Sequence, residues 1–259
     1  MGNCSLSRRP IETIDIFHKG KTKELDIRKP IVEDLLNNSQ YNNVLDQAYA
    51  DSLKIAEKNA RSLEDDFNNI IDLTTDFSEG YLSKQLETVT KMMRIGKEKG
   101  LTRQIFIVGT GGFDTHENQE ASHPKLLANV SNSLAEFYQS TVEMGVENEV
   151  TSFTMSEFGR TLEPNADEGA GAGTDHGWAG HQFILGGAVK GDLYGELLPQ
   201  SQATLDRMNG GLAPTTASEE MHASLAQWFG VSRVNCNEIF INLKSFVNDN
   251  EALRVDYFS

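Results

Sequence analysis

One ten-residue stretch, Gly173–Gln182, concentrates side chains that could bind a metal ion or move a proton. It carries the carboxylate of Asp175 and the imidazoles of His176 and His181 among glycines, and it runs directly into an apolar segment. Carboxylate and imidazole groups are ligands for divalent cations such as zinc and manganese. Because adjacent side chains on an extended backbone point in opposite directions, Asp175 and His176 need not be ligands of the same ion. One of them is expected to ligate while the other orients a neighbouring ligand.

A second stretch, Gly111–His116, has the same character. Two glycines precede Asp114 and His116, which are two residues apart, a spacing that suits a loop or an extended segment better than one face of a helix. Polar residues that follow a buried strand commonly serve function, which favours a metal-binding or catalytic role. The alternative is a turn in which Asp114 bonds to its own backbone and His116 caps a backbone group. The residues alone leave both interpretations open.

Glu157 and Arg160 form a third candidate pair, directly after the apolar run at 150–155. Glu157 has the chemistry of a metal ligand or a general base. It is also three residues from Arg160, a spacing at which an ordinary ion pair forms. The position after a strand supports the ligand interpretation, and the residues alone leave the ion pair equally open.

Hydrophobic periodicity predicts the elements that would position these residues. Four helical segments are expected, the first polar and surface-exposed, over residues 31–73, 82–99, 122–145 and 216–230. Three short apolar runs predict buried strands, over residues 104–108, 150–155 and 182–185. Strands that alternate with helices indicate an α/β domain with a largely parallel sheet. In such sheets ligands bind beyond the carboxyl ends of the strands, which is where the candidate residues lie.

Composition and charge exclude several other functions. The 259-residue chain has a formal net charge of -15, so it has no excess of basic groups to neutralise the phosphates of a nucleic acid. The sequence contains no run of eighteen apolar residues, so no membrane-spanning helix is expected. No export signal is expected at the start of the chain as written. The motifs of serine hydrolases, P-loop proteins and dinucleotide-binding proteins are absent from the sequence.

Four long motifs, in order, carry a family resemblance. They are RQIFIVGTGGFDTHENQ, LAEFYQSTVEMGVENEVTSFTMSEFGRTLEPN, GTDHGWAGHQFILGGAVKGDLYGELLP and LAQWFGV. From about Leu86 to Phe246 the chain resembles the bacterial family named domain of unknown function 1501. That family is grouped with the alkaline-phosphatase-like superfamily, whose members include phosphatases, sulfatases and phosphomutases. Members of the family named domain of unknown function 1501 are often exported to the periplasm.

The resemblance implies a fold and a chemistry. The fold is a three-layer α/β/α sandwich with a mostly parallel sheet over residues 81–259, preceded by a polar, partly helical segment over residues 1–80. The chemistry is metal-assisted hydrolysis or transfer at phosphate or sulfate esters, with zinc, manganese or calcium as the cofactor. A small anionic ester is the implied substrate.

The resemblance also implies roles for individual residues. Asp114 and His116 are similar to the first metal-binding pair of the superfamily, and His176 is similar to its later loop histidine. Glu157 occupies the strand-end acid position, with Phe158 where many relatives have histidine.

A second alignment of the same motifs stays open. It makes Asp175 and His176 the strand-end Asp-His pair and His181 the late histidine. Under the first alignment Arg160 is expected to stabilise anionic charge, while Asp175 and His181 orient or assist.

The chain departs from the superfamily pattern in two places. Asp114 and His116 are closer in sequence than the usual pair, and residues 1–80 contain no first strand with an early Asp ligand and a Ser or Thr nucleophile. An N-terminally truncated domain that lacks the first strand is therefore expected. The leading hypothesis is a metal-dependent hydrolase of phosphate or sulfate esters, and the alternative is a non-catalytic remnant or binding protein.

Overall fold

The structure is a computed structural model that describes Asp34 and residues 43–71, 73–166, 171–196, 211–248, 253 and 256–258. Most of the region in which a missing first strand was expected, up to residue 42, lies outside the described residues. The chain divides into two compact units, Met1–Gly109 and Thr110–Ser259. The domain boundary expected from the sequence, between residues 80 and 81, stays a prediction.

The described part of the first unit contains a long polar helix, α1 (Val44–Asn69). The Asn43 side chain caps it by accepting the Leu45 N–H at 2.9 Å, which satisfies one of the backbone donors left open at a helix start. Ala50 is its buried residue. The helix thus lies on the surface, as the abundance of Asp, Asn and Gln in this region predicts.

The second helix of this unit, α2 (Tyr81–Glu98), agrees with the prediction to within one residue at each end. Leu82, Leu86 and Val89 form its buried face, as their spacing predicts. Gly100 has a φ of +73°, a left-handed conformation that favours glycine and that ends the helix.

The buried strand predicted over residues 104–108 is wrong. Residues 101–115 contain no strand, and the side chains of Ile105 and Ile107 are 73% and 64% exposed. An apolar run becomes a buried strand only when other strands pair with its backbone. The neighbouring Gly109 instead bonds to a helix side chain, because the amide of Gln85 accepts its N–H at 3.1 Å and donates to its carbonyl at 2.8 Å.

Two helices of the second unit, α3 (Gln119–Glu143) and α4 (Ser218–Trp228), begin close to their predicted positions. A short helix, α5 (Arg233–Ile239), and a 3₁₀ turn at Leu243–Ser245 follow them and were not predicted. Thr216 and Glu219 have the spacing of a capping box, but the carboxylate that accepts the Ala217 N–H, at 3.3 Å, is that of Glu220. A core cluster joins α4, α5 and the turn through Ala223, Cys236, Leu243 and Val247. None of the described helices is both long and apolar enough to cross a membrane, as the sequence predicts.

The strands of the second unit form two small antiparallel pairs. β1 (Ser152–Phe153) pairs with β4 (Ile184–Leu185). β2 (Gly159–Pro164) pairs with β3 (Thr174–Gly177), with Arg160 opposite His176. The expected α/β class, the three-layer α/β/α sandwich and its mostly parallel sheet are therefore wrong for the described residues.

The prediction of a parallel sheet failed because the strands pair differently from what their sequence order indicates. The apolar runs at 150–155 and 182–185 do contain strands, but these are two residues long and pair with each other, antiparallel. β2 lies mostly in a polar region without an apolar run, for which the sequence predicts neither a helix nor a strand. Hydrophobic periodicity marks which residues favour a strand, whereas pairing depends on contacts far apart in the sequence.

Replacing Gly159 by alanine is expected to destabilise the second unit. A Cβ at Gly159 would overlap the carbonyl oxygen of Ala179, so β2 or the segment after β3 would have to shift. A cost of about 1–3 kcal/mol is typical of such overpacking. Urea unfolding of the full chain measures it, with Gly180→Ala as the matched control, because a Cβ there has its nearest neighbour at 3.7 Å. Equal unfolding midpoints for the two variants would contradict the packing described.

His222 is expected to make the stability of the folded protein depend on pH. Its ring lies near those of Phe153 and Phe240, and burial lowers its pKa, against the opposing charge of Glu219. A histidine with a lowered pKa stabilises the folded state above its unfolded pKa of about 6.5, and this contribution is lost as the pH falls below that value. Between pH 7.5 and 5.5 the urea midpoint should therefore fall more in the parent than in His222→Phe. The same fall in both proteins would show that His222 does not contribute.

Candidate metal centre

Two histidines and one aspartate of the second unit bring one potential ligand atom each to the same place. Asp114 Oδ1 lies 3.0 Å from His116 Nε2 and 2.9 Å from His176 Nε2, and the two ring nitrogens are 3.2 Å apart. The three side chains are 60%, 44% and 49% exposed, in that order. Among the described residues this is the one group of three or more His, Cys, Asp or Glu side chains that could hold a metal ion. We call it the three-ligand cluster.

Backbone pairing joins the two distant parts of the chain that carry the cluster. Asp114 and His116 lie in a stretch outside the helices and strands that we call the Asp-Thr-His segment (Phe113–Glu117), and His176 lies in β3. The Thr174 N–H of β3 donates to the Thr115 carbonyl at 3.3 Å, and an antiparallel bridge links Glu117 to Ala172. The segment therefore runs beside the chain that forms β3, which explains how ligands sixty residues apart meet.

The three ligand atoms cannot satisfy one another by hydrogen bonds. The carboxylate oxygen only accepts, and each Nε2 either donates or accepts. If both nitrogens carry a proton, the two N–H groups oppose each other. If one nitrogen is unprotonated, its lone pair faces the carboxylate oxygen. While the carboxylate is ionised, at least one of the three contacts is repulsive whichever ring nitrogens carry a proton, and a cation between the three atoms would make all three contacts favourable.

The separations also fit a metal ion. Nitrogen and oxygen ligands lie about 2.0–2.2 Å from a zinc ion, so two ligands of one ion are about 3 Å apart at right angles and about 3.4 Å apart at the tetrahedral angle. The three separations, from 2.9 to 3.2 Å, are closest to the right-angle value. Three protein ligands leave further coordination positions open, which is the arrangement of catalytic rather than structural metal sites.

Asp175 lies behind the cluster and contacts the far side of the His116 ring. Its Oδ1 is 3.3 Å from His116 Nδ1, and its own backbone N–H donates to the Thr161 hydroxyl at 3.0 Å. A carboxylate at Nδ1 keeps the proton on that nitrogen, so the lone pair of Nε2 faces the cluster. Asp175 and its neighbour His176 thus contact different parts of the site.

Arg160 of β2 donates hydrogen bonds to Asp114 and to the backbone of two neighbouring segments. Its Nη2 donates to Asp114 Oδ1 at 2.6 Å and to the Phe113 carbonyl at 2.8 Å, and its Nη1 donates to the Thr174 carbonyl at 2.8 Å. The side chain is 13% exposed. The hydrogen bond from His176, together with the one from Arg160, lowers the pKa of Asp114 below its ordinary value. The carboxylate is therefore ionised and available as a ligand at neutral pH.

Phe158 fixes the plane of the His176 ring. The two rings stack with centroids 3.8 Å apart and planes 6° from parallel. The Arg160 guanidinium lies 5.1 Å from the centre of the same phenyl ring. The Phe158 ring therefore contacts both the His176 ring and the Arg160 guanidinium.

The structure gathers most of the residues that the sequence selected. Those in the cluster or in direct contact with it are Asp114, His116, Arg160, Asp175 and His176. Glu157 and His181 are exposed and lie outside the three-ligand cluster. The roles assigned to all of these residues stay predictions.

Sequence reasoning missed two residues of the site. Phe158 was noted only as a replacement for histidine, and nothing local indicates that its ring stacks on His176. Asn165, in the stretch between the strands predicted at 150–155 and 182–185, donates from Nδ2 to the His116 carbonyl at 2.9 Å. The length of that stretch was the signal available, since long loops in compact domains are commonly functional.

Comparison with known proteins places the chain in a family. The family model described as Protein of unknown function (DUF1501) matches residues 16–225, which is well over half of the chain and includes both ligand-bearing stretches. No curated protein and no solved structure matches the chain. The resemblance found in the sequence motifs is thereby confirmed at the level of the family. The chain belongs to the family of proteins of unknown function named DUF1501.

Proposed function

We propose that this chain binds a divalent transition-metal ion at Asp114, His116 and His176 and uses it to hydrolyse phosphate or sulfate esters. The observation that carries the proposal is the convergence of one carboxylate oxygen and two imidazole nitrogens within 3.2 Å of one another. Hydrogen bonds cannot make that arrangement favourable, whereas a cation does. The proposed link to phosphatases and sulfatases rests on the motifs of the sequence and not on a shared fold.

The ligand types favour zinc or manganese over calcium. Calcium takes six to eight oxygen ligands, whereas imidazole suits zinc and other transition metals. The cluster offers two imidazoles and one carboxylate. Glu157, in the loop that also carries Phe158, is retained as a proposed further ligand.

The surrounding residues support hydrolysis of an anionic ester. A bound ion of this kind polarises an ester oxygen and activates a nucleophile. Asp175 orients His116, and Arg160, in contact with Asp114, is proposed to stabilise anionic charge beside the site. His181, five residues after His176, is proposed to assist proton transfer.

One observation favours a second candidate, a metal-binding protein without turnover. All three ligand side chains are between 44% and 60% exposed. Electrostatic catalysis is strongest where water is excluded, so an open site binds an ion more readily than it lowers a reaction barrier. Assays of metal content and of ester cleavage separate the two candidates.

The purified full chain, stripped of metal and titrated with zinc or manganese, should bind one ion per chain. His176→Ala should weaken that binding by about a hundredfold or more, since it removes one of three ligands; loss of a group that merely orients a ligand already costs 10–100-fold. Isothermal titration and elemental analysis measure the affinity and stoichiometry. The matched variant is His181→Ala, which removes another exposed imidazole from the same stretch and should leave the affinity unchanged. A parent without bound metal would refute the site, and equal losses in the two variants would favour the second motif alignment.

The metal-loaded chain should cleave p-nitrophenyl phosphate or p-nitrophenyl sulfate, and chelation should abolish the activity. Asp114→Asn keeps the shape of the ligand and removes its charge, so kcat/KM should fall by about a hundredfold or more. Release of nitrophenolate at 405 nm follows the reaction. A metal-loaded parent that cleaves neither ester favours the second candidate, and turnover that survives in Asp114→Asn would contradict the proposed ligand role.

A further inference from the structure

Asn165, directly after β2, bonds to both segments that carry the three-ligand cluster. Its Nδ2 donates to the His116 carbonyl at 2.9 Å, and its Oδ1 accepts the Gly173 N–H at 3.2 Å. Its own backbone N–H donates to the Gly173 carbonyl at 3.0 Å. One amide side chain thus connects the Asp-Thr-His segment to the residue that precedes β3.

The two connected segments are in direct backbone contact at this point. A Cβ at Gly173 would overlap the carbonyl groups of Thr115 and His116, so glycine is required for the approach. The Thr174 N–H adds a bond to the Thr115 carbonyl at 3.3 Å. The separation between the segments is therefore set within a few residues of His116 on one side and of His176 on the other.

We propose that Asn165 is a positioning residue for the metal site, in that its amide fixes the separation between His116 and the strand that carries His176. This inference rests on the proposed metal-binding function. Metal sites require ligand distances within about 0.2 Å of their ideal values, so a small displacement of one ligand segment weakens binding. Asn165 acts through the backbone of His116 and touches no ligand atom itself.

The two side-chain hydrogen bonds of Asn165 distinguish a positioning role from a packing role. Asn165 is exposed, so it adds little to a packed core, and the loss of its two side-chain bonds should leave the chain folded. Asn165→Asp has nearly the same shape and still accepts the Gly173 N–H. It places an acceptor against the His116 carbonyl, however, and so repels the segment that asparagine holds. Its added negative charge would by itself strengthen the binding of a cation, so weaker binding in this variant reports the lost position.

The test compares zinc affinity and the visible absorption spectrum of bound cobalt(II) in the full chain. Asn165→Ala should lower zinc affinity by about 10–100-fold and change the cobalt spectrum, and Asn165→Asp should do the same. The control is Asn242→Ala, which removes a side-chain amide bonded to the Glu219 carboxylate at 3.1 Å and should match the parent in both measurements. A second measurement on the unmodified chain guards against a variant that does not fold. In it, zinc should slow hydrogen exchange of the Gly173 amide, which bonds to Asn165.

The outcomes separate this inference from the function on which it rests. If the parent binds zinc and Asn165→Ala binds it with the same affinity and cobalt spectrum, the positioning role is overturned and the metal site stands. Exchange at Gly173 that zinc does not slow also overturns the role. A parent that binds neither zinc nor cobalt overturns the metal site, and the positioning role with it.

Discussion

The candidate site depends on one constraint, the close backbone contact between the Asp-Thr-His segment and the chain leading into β3. Gly173 makes that contact sterically allowed, and the Thr174 N–H and the antiparallel bridge at Ala172 hold it. Because His176 follows three residues after Gly173, the contact brings its ring to Asp114. The convergence of ligands thus follows from a pairing of backbone, to which the Asn165 side chain adds two hydrogen bonds.

A second layer of contacts then orients what the pairing brings together. Arg160 bonds to Asp114 and to carbonyls on both neighbouring segments, Asp175 meets the far nitrogen of His116, and Phe158 stacks on His176. Each cluster residue therefore has its own supporting contact. A site whose ligands are fixed in this way is prepared for an ion before the ion binds, which reduces the entropy lost on binding.

Local features of the fold were predictable from the sequence and non-local ones were not. The face and the end of α2 followed from the spacing of Leu82, Leu86 and Val89 and from Gly100, because helix contacts are made within a few residues. The apolar run at 104–108 indicated a strand, yet Ile105 and Ile107 are exposed, because strand formation depends on partners elsewhere in the chain. The parallel sandwich failed for the same reason.

The ligand-bearing stretches themselves were predictable because acids and histidines flanked by glycines have a local pattern. The supporting residues were not predictable, because the stacking of Phe158 on His176 and the hydrogen bond of Asn165 to the His116 carbonyl exist only once the segments are paired. Family motifs led to the proposed chemistry of the site, which stays a proposal, and the fold they implied does not hold for the described residues. Residue types predicted which groups could bind an ion, and the structure supplied which of them meet.

The most direct test of the central claim is X-ray absorption spectroscopy at the zinc edge of the zinc-loaded full chain. If zinc binds at the three-ligand cluster, we expect nitrogen and oxygen ligands at about 2.0–2.2 Å from the ion, with scattering from two imidazole rings and no sulfur. The imidazole scattering should come from His116 and His176, whose ring nitrogens lie 3.2 Å apart. Zinc lost on gel filtration, or a shell without two imidazoles, would contradict it.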